Sequence, residues 1–396
     1  MKKVFKKILK VLMWILIVIA ALVVLLLAVR FIGKKINSRT PKNGINENMY
    51  IDVNGQQQWI SIYGENKDNP IMLYLHGGPG YSTSFADWAI TRKLAGDYTV
   101  ISWDQRDCAK TWIKDAKKEI VTADMMRSDL EVVADYVLEY LDKDSLTFLG
   151  ISWGTYYGCD YAYSHPDKVD CIINLSQVVD NELGWLGEKE DLLKKTENDA
   201  EAHKLAEEYD PLLFYNLTEE QLADFDALQK AAPEERPQIL ENNAWLKDFM
   251  QKMSRQVQIK TALNEKYGVP EEGISTSDMN LVAAVFFNPY YSLSELVTVL
   301  SYEDKNSFTI ERQKDFYTSY TLKDKTVYEM PFYVMQGDID DPNDVVKNYM
   351  ESITAPDKEY RRVEGGHMST LLKSERLAAF VHEIAEKNKE NTDGHL

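Results

Sequence analysis

The sequence predicts an α/β protein: a mostly parallel sheet with helices on both faces, split by a long helical insertion and preceded by one membrane-crossing helix. Three observations predict it. Short apolar runs alternate with segments of helical periodicity over the first 180 residues. Strand character then lapses from Asn181 to Lys325 and returns at Pro331–Gln336 and Glu359–Val363. Finally, Val11 to Val29 is an uncharged run of 19 residues dominated by Val, Leu, Ile and Ala.

That run, as a helix, covers about 28 Å, close to the hydrocarbon thickness of a bilayer. It is longer than the core of a cleaved signal peptide, and no clear A-x-A site follows it. Residues 1–32 are therefore expected to be an uncleaved anchor, with residues 11–32 in contact with lipid. Five lysines precede the run and five basic residues follow it. The denser cluster lies before it, which favours an N-terminus inside and a domain outside the cell membrane. Residues 33–47, polar and containing Gly, Pro and Asn, read as a linker.

Tyr50–Val53 and Trp59–Tyr63 flank Asn54-Gly55, the signature of a hairpin. Strands are expected at Ile71–Leu75, Tyr98–Trp103, Leu146–Gly150 and Cys171–Leu175. Met125–Leu141 places Leu130, Val133, Val137 and Leu141 on one helical face. A helix after Ser152 should end near His165-Pro166, and an amphipathic helix from about Leu371 to Lys387 closes the chain. Residues 48–180 and 326–390 thus form the core, and 181–325 a helical cap over the edge where open α/β sheets bind ligands.

The formal net charge is −18; residues 1–42 hold ten Lys/Arg and no acid, leaving −28 on the remainder. So acidic a body repels phosphates and argues against nucleic acid as a partner. The three cysteines (Cys108, Cys159, Cys171) are odd in number and lack metal-ligand spacing, so packing roles are expected, with no disulfide framework.

Gly150-Ile151-Ser152-Trp153-Gly154 fits G-x-S-x-G between a strand and a helix, whereas Ser82 and Ser275 lack the second glycine. The small residues let the backbone turn sharply and leave the Ser152 hydroxyl exposed as a nucleophile. A hydroxyl needs a base, and the base needs a third group to hold its ring. Of six histidines, His367 lies in Glu364-Gly365-Gly366-His367, between the last strand and the last helix, where glycines permit a loop over the nucleophile. Gln336-Gly337-Asp338-Ile339-Asp340-Asp341 follows a strand and offers the acid. Asp340 is the choice, with Asp338 and Asp341 as alternatives. The oxyanion of acyl transfer requires two N–H groups. One is expected from Trp153 and the other from His76-Gly77-Gly78-Pro79-Gly80, whose glycines allow close approach.

Taken together, His76–Gly80 as HGGPG, Trp103-Asp104-Gln105-Arg106, and Gly150–Gly154 as G-x-S-W-G resemble the proline iminopeptidases of the α/β-hydrolase superfamily. The resemblance covers about residues 48–180 and 328–385. It implies the α/β-hydrolase fold, a Ser152–Asp340–His367 triad, oxyanion donors at Gly78 and Trp153, no cofactor or metal, and a small-molecule or short-peptide substrate with a free amine. Those enzymes hold the amine with acidic cap residues, and no motif here singles one out. The loop also departs from the family's DQRG followed by G-x-G-x-S, reading Asp107-Cys108-Ala109-Lys110-Thr111. Residues other than glycine at 107 and 109 predict ordinary backbone angles there. Arg106 reads as a structural ion-pair partner. A carboxylesterase- or lipase-like hydrolase, or a non-catalytic binding protein on the same fold, stays open as an alternative.

Overall fold

A computed structural model describes residues 2–117, 121–267, 280–301, 310–341 and 344–393. Eight strands form one sheet in the order β1-β2-β4-β3-β5-β6-β7-β8. They are β1 (Ile45–Val53), β2 (Gln56–Gly64), β3 (Ile71–Leu75), β4 (Thr99–Asp104), β5 (Leu146–Ile151), β6 (Val169–Leu175), β7 (Phe332–Gly337) and β8 (Lys358–Val363). β1 and β2 pair antiparallel, as do β2 and β4; every other pair is parallel. Asn54 and Gly55 close the first hairpin at φ +50° and +79°. Two such angles match the right-handed twist of the flanking strands.

The central strands are apolar on both faces because both faces are covered. Leu73, Phe148, Ile172 and Val334 point to one side, against Leu130, Val133 and Val137 of the helix Ala123–Leu141. Their neighbours Met72, Leu149, Ile173 and Met335 point to the other, against Leu377, Phe380, Val381 and Ile384 of the last helix, Ser374–Asp393. All three cysteines are buried and unbridged.

Between β6 and β7 the described residues form helices and no strand. Five helices of this insertion open on side-chain N-caps, at Asp180, Asp199, Thr218, Asn280 and Ser292. Each cap supplies an acceptor to a first-turn N–H that lacks an intrahelical partner. Two small apolar clusters of their own hold much of the insertion together, one around Phe225, Leu246 and Phe249 and the other around Leu192, Tyr209 and Ile259.

The N-terminal helix spans Lys2–Asn37, and Val4–Asn37 is long and apolar enough to cross a membrane. The stretch read as a linker over 33–47 is therefore shorter: helix continues to Asn37 and β1 starts at Ile45. The reason is packing. Arg30, Lys34 and Asn37 lie on one helical face and donate to the carbonyls of Phe286 and Tyr291, of Tyr291, and of Phe287 respectively. Gly33 lets the Phe287 ring seat against the helix, since a Cβ there would stand 2.3 Å from the ring.

Candidate active site

Ser152 sits between β5 and the helix Trp153–Ser164 at φ 52° and ψ −121°. Such angles are rare for a residue with a side chain and cost on the order of 1–3 kcal/mol. The two flanking glycines make the turn possible. A Cβ on Gly150 would lie 2.8 Å from the Gly154 carbonyl oxygen, and one on Gly154 would lie 2.1 Å from that of Leu75. The Ser152 N–H donates to Leu175 O at 3.0 Å, which fixes the turn beside the end of β6.

The HGGPG loop passes directly against this serine. A Cβ on Gly77 would be 3.3 Å from the Ser152 Cβ and 3.8 Å from its Oγ. Gly78 follows at φ +126°, and the Gly78–Pro79 peptide is cis. The buried His76 ring anchors the loop: Nδ1 donates to Gly77 O at 2.8 Å, and Nε2 accepts the Gln105 N–H at 3.3 Å. Burial lowers the pKa of this ring to about 4, so it stays neutral and can serve as an acceptor. The Trp153 N–H opens the following helix, where no intrahelical acceptor exists for it.

Asp340 faces His367. The His367 Nδ1 donates to Asp340 Oδ1 at 2.9 Å and Oδ2 at 3.0 Å, leaving Nε2 as the lone-pair nitrogen. Burial opposes protonation of this imidazole, but the hydrogen bond and charge of Asp340 outweigh it and raise the pKa. Gln336 Nε2 also donates to Asp340 Oδ2 at 2.9 Å, while Gln336 Oε1 accepts the Gln177 N–H at 2.8 Å. Gln336 therefore has its amide orientation fixed.

The other two aspartates have structural partners. Asp338 Oδ1 accepts the Gly365 N–H at 2.7 Å. Asp341 accepts from the N–H groups of Val346 and Lys347 at the start of a helix, at 2.9 and 3.0 Å. Gly337 brings the two loops together, for a Cβ on it would meet the carbonyls of Gly365 and Gly366 at 2.4 and 2.5 Å.

Ser176, which sequence reasoning missed, holds the histidine's backbone beside the end of β6. It follows Leu175, the residue that accepts from the Ser152 N–H, and its Oγ donates to His367 O at 2.5 Å. Ser152 and His367 are thus bonded to consecutive residues, Leu175 and Ser176, at the C-terminal end of β6. Nothing in the motif pattern marks Ser176; only the strand register brings it there. Asp340 thus holds one imidazole nitrogen of His367, and an imidazole so held can serve as a base toward a hydroxyl brought to its other nitrogen.

The loop after β4 corrects one expectation. Asp107 and Ala109 take φ +59° and +37° despite their side chains. Surrounding bonds hold them there. The buried Asp104 accepts the Lys110 N–H at 2.9 Å, and the Thr111 hydroxyl donates to the Asp104 carbonyl. Burial raises the Asp104 carboxyl's pKa to about 6, against the lowering pull of hydrogen bonds from Ser82, Ser84 and the Lys110 N–H. Arg106 forms a two-pronged, fully buried pair with Asp129, both bonds 2.8 Å, as a structural partner should. Asp97, His382 and Glu386 are near enough to one another to hold a cation, but they lie on the last helix and its neighbouring loop, outside this site.

Comparison with known proteins agrees with the architecture. Residues 70–374 match the family described as alpha/beta hydrolase fold. A 129-residue stretch is 28% identical to "Probable aminopeptidase YbaC" of Bacillus subtilis (strain 168), covering 33% of this chain and 41% of that protein. A 150-residue stretch is 32% identical to the proline iminopeptidase of Lactobacillus delbrueckii subsp. bulgaricus, covering 37% and 48%. The matched part thus spans less than half the length of each relative. Among solved structures, the proline iminopeptidase of Mycobacterium smegmatis superposes with a TM-score of 0.50 at 16% identity, over 87% of this chain and 100% of the other. At that identity the likeness concerns the fold.

Proposed function

The chain belongs to the alpha/beta hydrolase fold family, and from that premise we propose that it is a membrane-anchored serine hydrolase that removes N-terminal residues, proline among them, from short peptides. Ser152 Oγ attacks the carbonyl carbon while His367 Nε2 takes its proton. The tetrahedral oxyanion lies against the N–H groups of Gly78 and Trp153. His367 then protonates the departing amine as the C–N bond breaks, leaving an acyl ester on Ser152. Water, deprotonated by His367, hydrolyses that ester and restores the hydroxyl. Asp340 holds the ring in place and stabilises the imidazolium. Residues 181–325 act as the cap that selects substrates, and its acidic side chains suit a free amine. The N-terminal lysines stay inside, so the body faces outward.

The observation that carries the chemistry is the Asp340–His367 pair, held at Ser176, the residue after the Leu175 that fixes the strained turn at Ser152. Likeness to relatives named proline iminopeptidase supports the peptide preference. Replacing Ser152 with Ala should abolish labelling by a fluorophosphonate probe; full labelling of Ser152→Ala would refute the assignment. The N-terminal helix favours a second reading, an esterase acting on membrane-borne esters. Turnover of p-nitrophenyl esters without turnover of Pro-p-nitroanilide would select it.

A further inference from the structure

The last two turns of the N-terminal helix have two unlike faces. Arg30 is only 5% exposed, and with Lys34 and Asn37 it is bound to carbonyls of residues 286–291. Phe31, Ile32 and Ile36 point the other way and are exposed. The outward surface of this helix therefore stays apolar through Phe31 and Ile32, about one turn past the uncharged run that ends at Val29, before Lys35 appears on it. The charge at Arg30 is turned into the protein and does not mark the lipid boundary. The first exposed positive charges after the run are Lys35, Arg39 and Lys42.

The body segment docked at this level carries an apolar surface of its own. The helix Leu293–Leu300 begins two residues after Tyr291, whose carbonyl holds Arg30 and Lys34. Leu296 is buried on its inner face, and Glu295 pairs inward with Lys110. On its outer face Leu293, Val297 and Leu300 recur at i, i+4 and i+7, exposed by 43%, 66% and 59%. Val282, in the helix that ends at Phe286, is 79% exposed. The helix Leu293–Leu300 is about 12 Å long. The whole stripe thus lies within a short reach of the docked end of the membrane helix. A surface helix with one apolar face and a polar capped start is the form that lies in a bilayer's interfacial layer.

We propose that Leu293, Val297 and Leu300, with Val282, insert into the interfacial layer of the same bilayer leaflet that the N-terminal helix leaves, giving the protein a second, monotopic membrane contact within its cap. This rests on the reading of the N-terminal helix as a membrane anchor. The contact is continuous with that helix, and the basic residues Lys35, Arg39 and Lys42 favour an anionic leaflet.

Spin-label scanning of the full chain in vesicles containing anionic lipid tests it. Single cysteines are introduced at Leu293, Ser294, Val297 and Leu300, and at Leu16 in the apolar run; the three native cysteines are buried and take little label. Labels at 293, 297 and 300 should collide more often with dissolved oxygen than with a water-soluble nickel chelate, while Ser294, on the polar side, shows the reverse. Preference for the chelate at 293, 297 and 300 with oxygen preference at 16 overturns the second contact and leaves the anchor standing. Chelate preference at 16 overturns the anchor, and this inference with it.

Discussion

Replacing Asp340 with Asn is the sharpest test of the proposed relay. The change is isosteric, so packing is unaltered. Its consequence follows from Gln336, whose Oε1 is fixed by the Gln177 N–H and whose Nε2 points at Asp340 Oδ2 at 2.9 Å. The single oxygen of the substituted amide must sit there to accept that N–H. Its NH2 group then occupies the Oδ1 position, 2.9 Å from the His367 Nδ1. Two donors then meet at that position, and the one remaining oxygen, 3.0 Å from Nδ1, already accepts from Gln336, so the substitution favours the tautomer with its proton on Nε2, the nitrogen proposed as the base. A base protonated at the working atom accepts nothing. The expected loss in kcat is about 10⁴-fold, the size seen when a triad acid is neutralised without loss of geometry, or about 5 kcal/mol in the barrier. The assay is steady-state hydrolysis of Pro-p-nitroanilide and of a p-nitrophenyl ester, with the rate of fluorophosphonate labelling as a substrate-independent measure. Asp341→Asn serves as the comparison, because that carboxylate caps a helix. An Asp340→Asn enzyme within tenfold of the parent would refute the argument.

Four further outcomes are expected. Asp340 holds the His367 pKa above its usual 6.5, and only the neutral ring is a base, so labelling should fade toward acid with a midpoint above 6.5; a midpoint below 6 would contradict the pairing. His76 stays neutral in the fold down to about pH 4 while the unfolded ring protonates near 6.5. Its contribution to stability is therefore lost as pH falls from 6.5 to 4, by about 3 kcal/mol, visible as the difference in urea unfolding between the parent and His76→Gln. Arg106→Ala removes the ion-pair partner of the buried Asp129 and should cost about 3–5 kcal/mol in denaturant unfolding; a loss under 1 kcal/mol would show that the pair is not structural. Ala109→Gly relieves a positive φ of +37° and should stabilise the fold by about 1 kcal/mol; a lower Tm would show that the loop has no strain there.

Much of this fold was legible because period and punctuation agreed. The run Leu146–Gly150 had one reading, a strand, and its abrupt end in Gly-x-Ser-x-Gly had one geometry. Asp340 was separable from its two neighbours only as a choice, since three aspartates in four residues share one local pattern. The fold separates them by what each side chain meets: a backbone N–H for Asp338, an imidazole for Asp340, a helix start for Asp341. The angles at Asp107 and Ala109 escaped for a related reason. Intrinsic preference disfavours them, and the bonds that override it come from Asp104 and residues beyond the loop. Residues 33–37 looked like linker because they are polar and include Gly and Asn, yet a docking face some 250 positions away holds them in helix. Ser176 carries no signature at all.

The insertion between β6 and β7 has one more consequence. Ile172 pairs with Phe332 in the finished sheet, so everything between them is, to the sheet, a closed loop. The entropy of closing such a loop grows only with the logarithm of its length, about 0.6 kcal/mol per doubling. Dozens of residues could be gained or lost over the site without loosening the strands that hold its serine, carboxylate and imidazole. A single methyl on Gly337, pressed onto two backbone carbonyls, would disturb the Asp340 and His367 loops more than the exchange of an entire helix of the insertion.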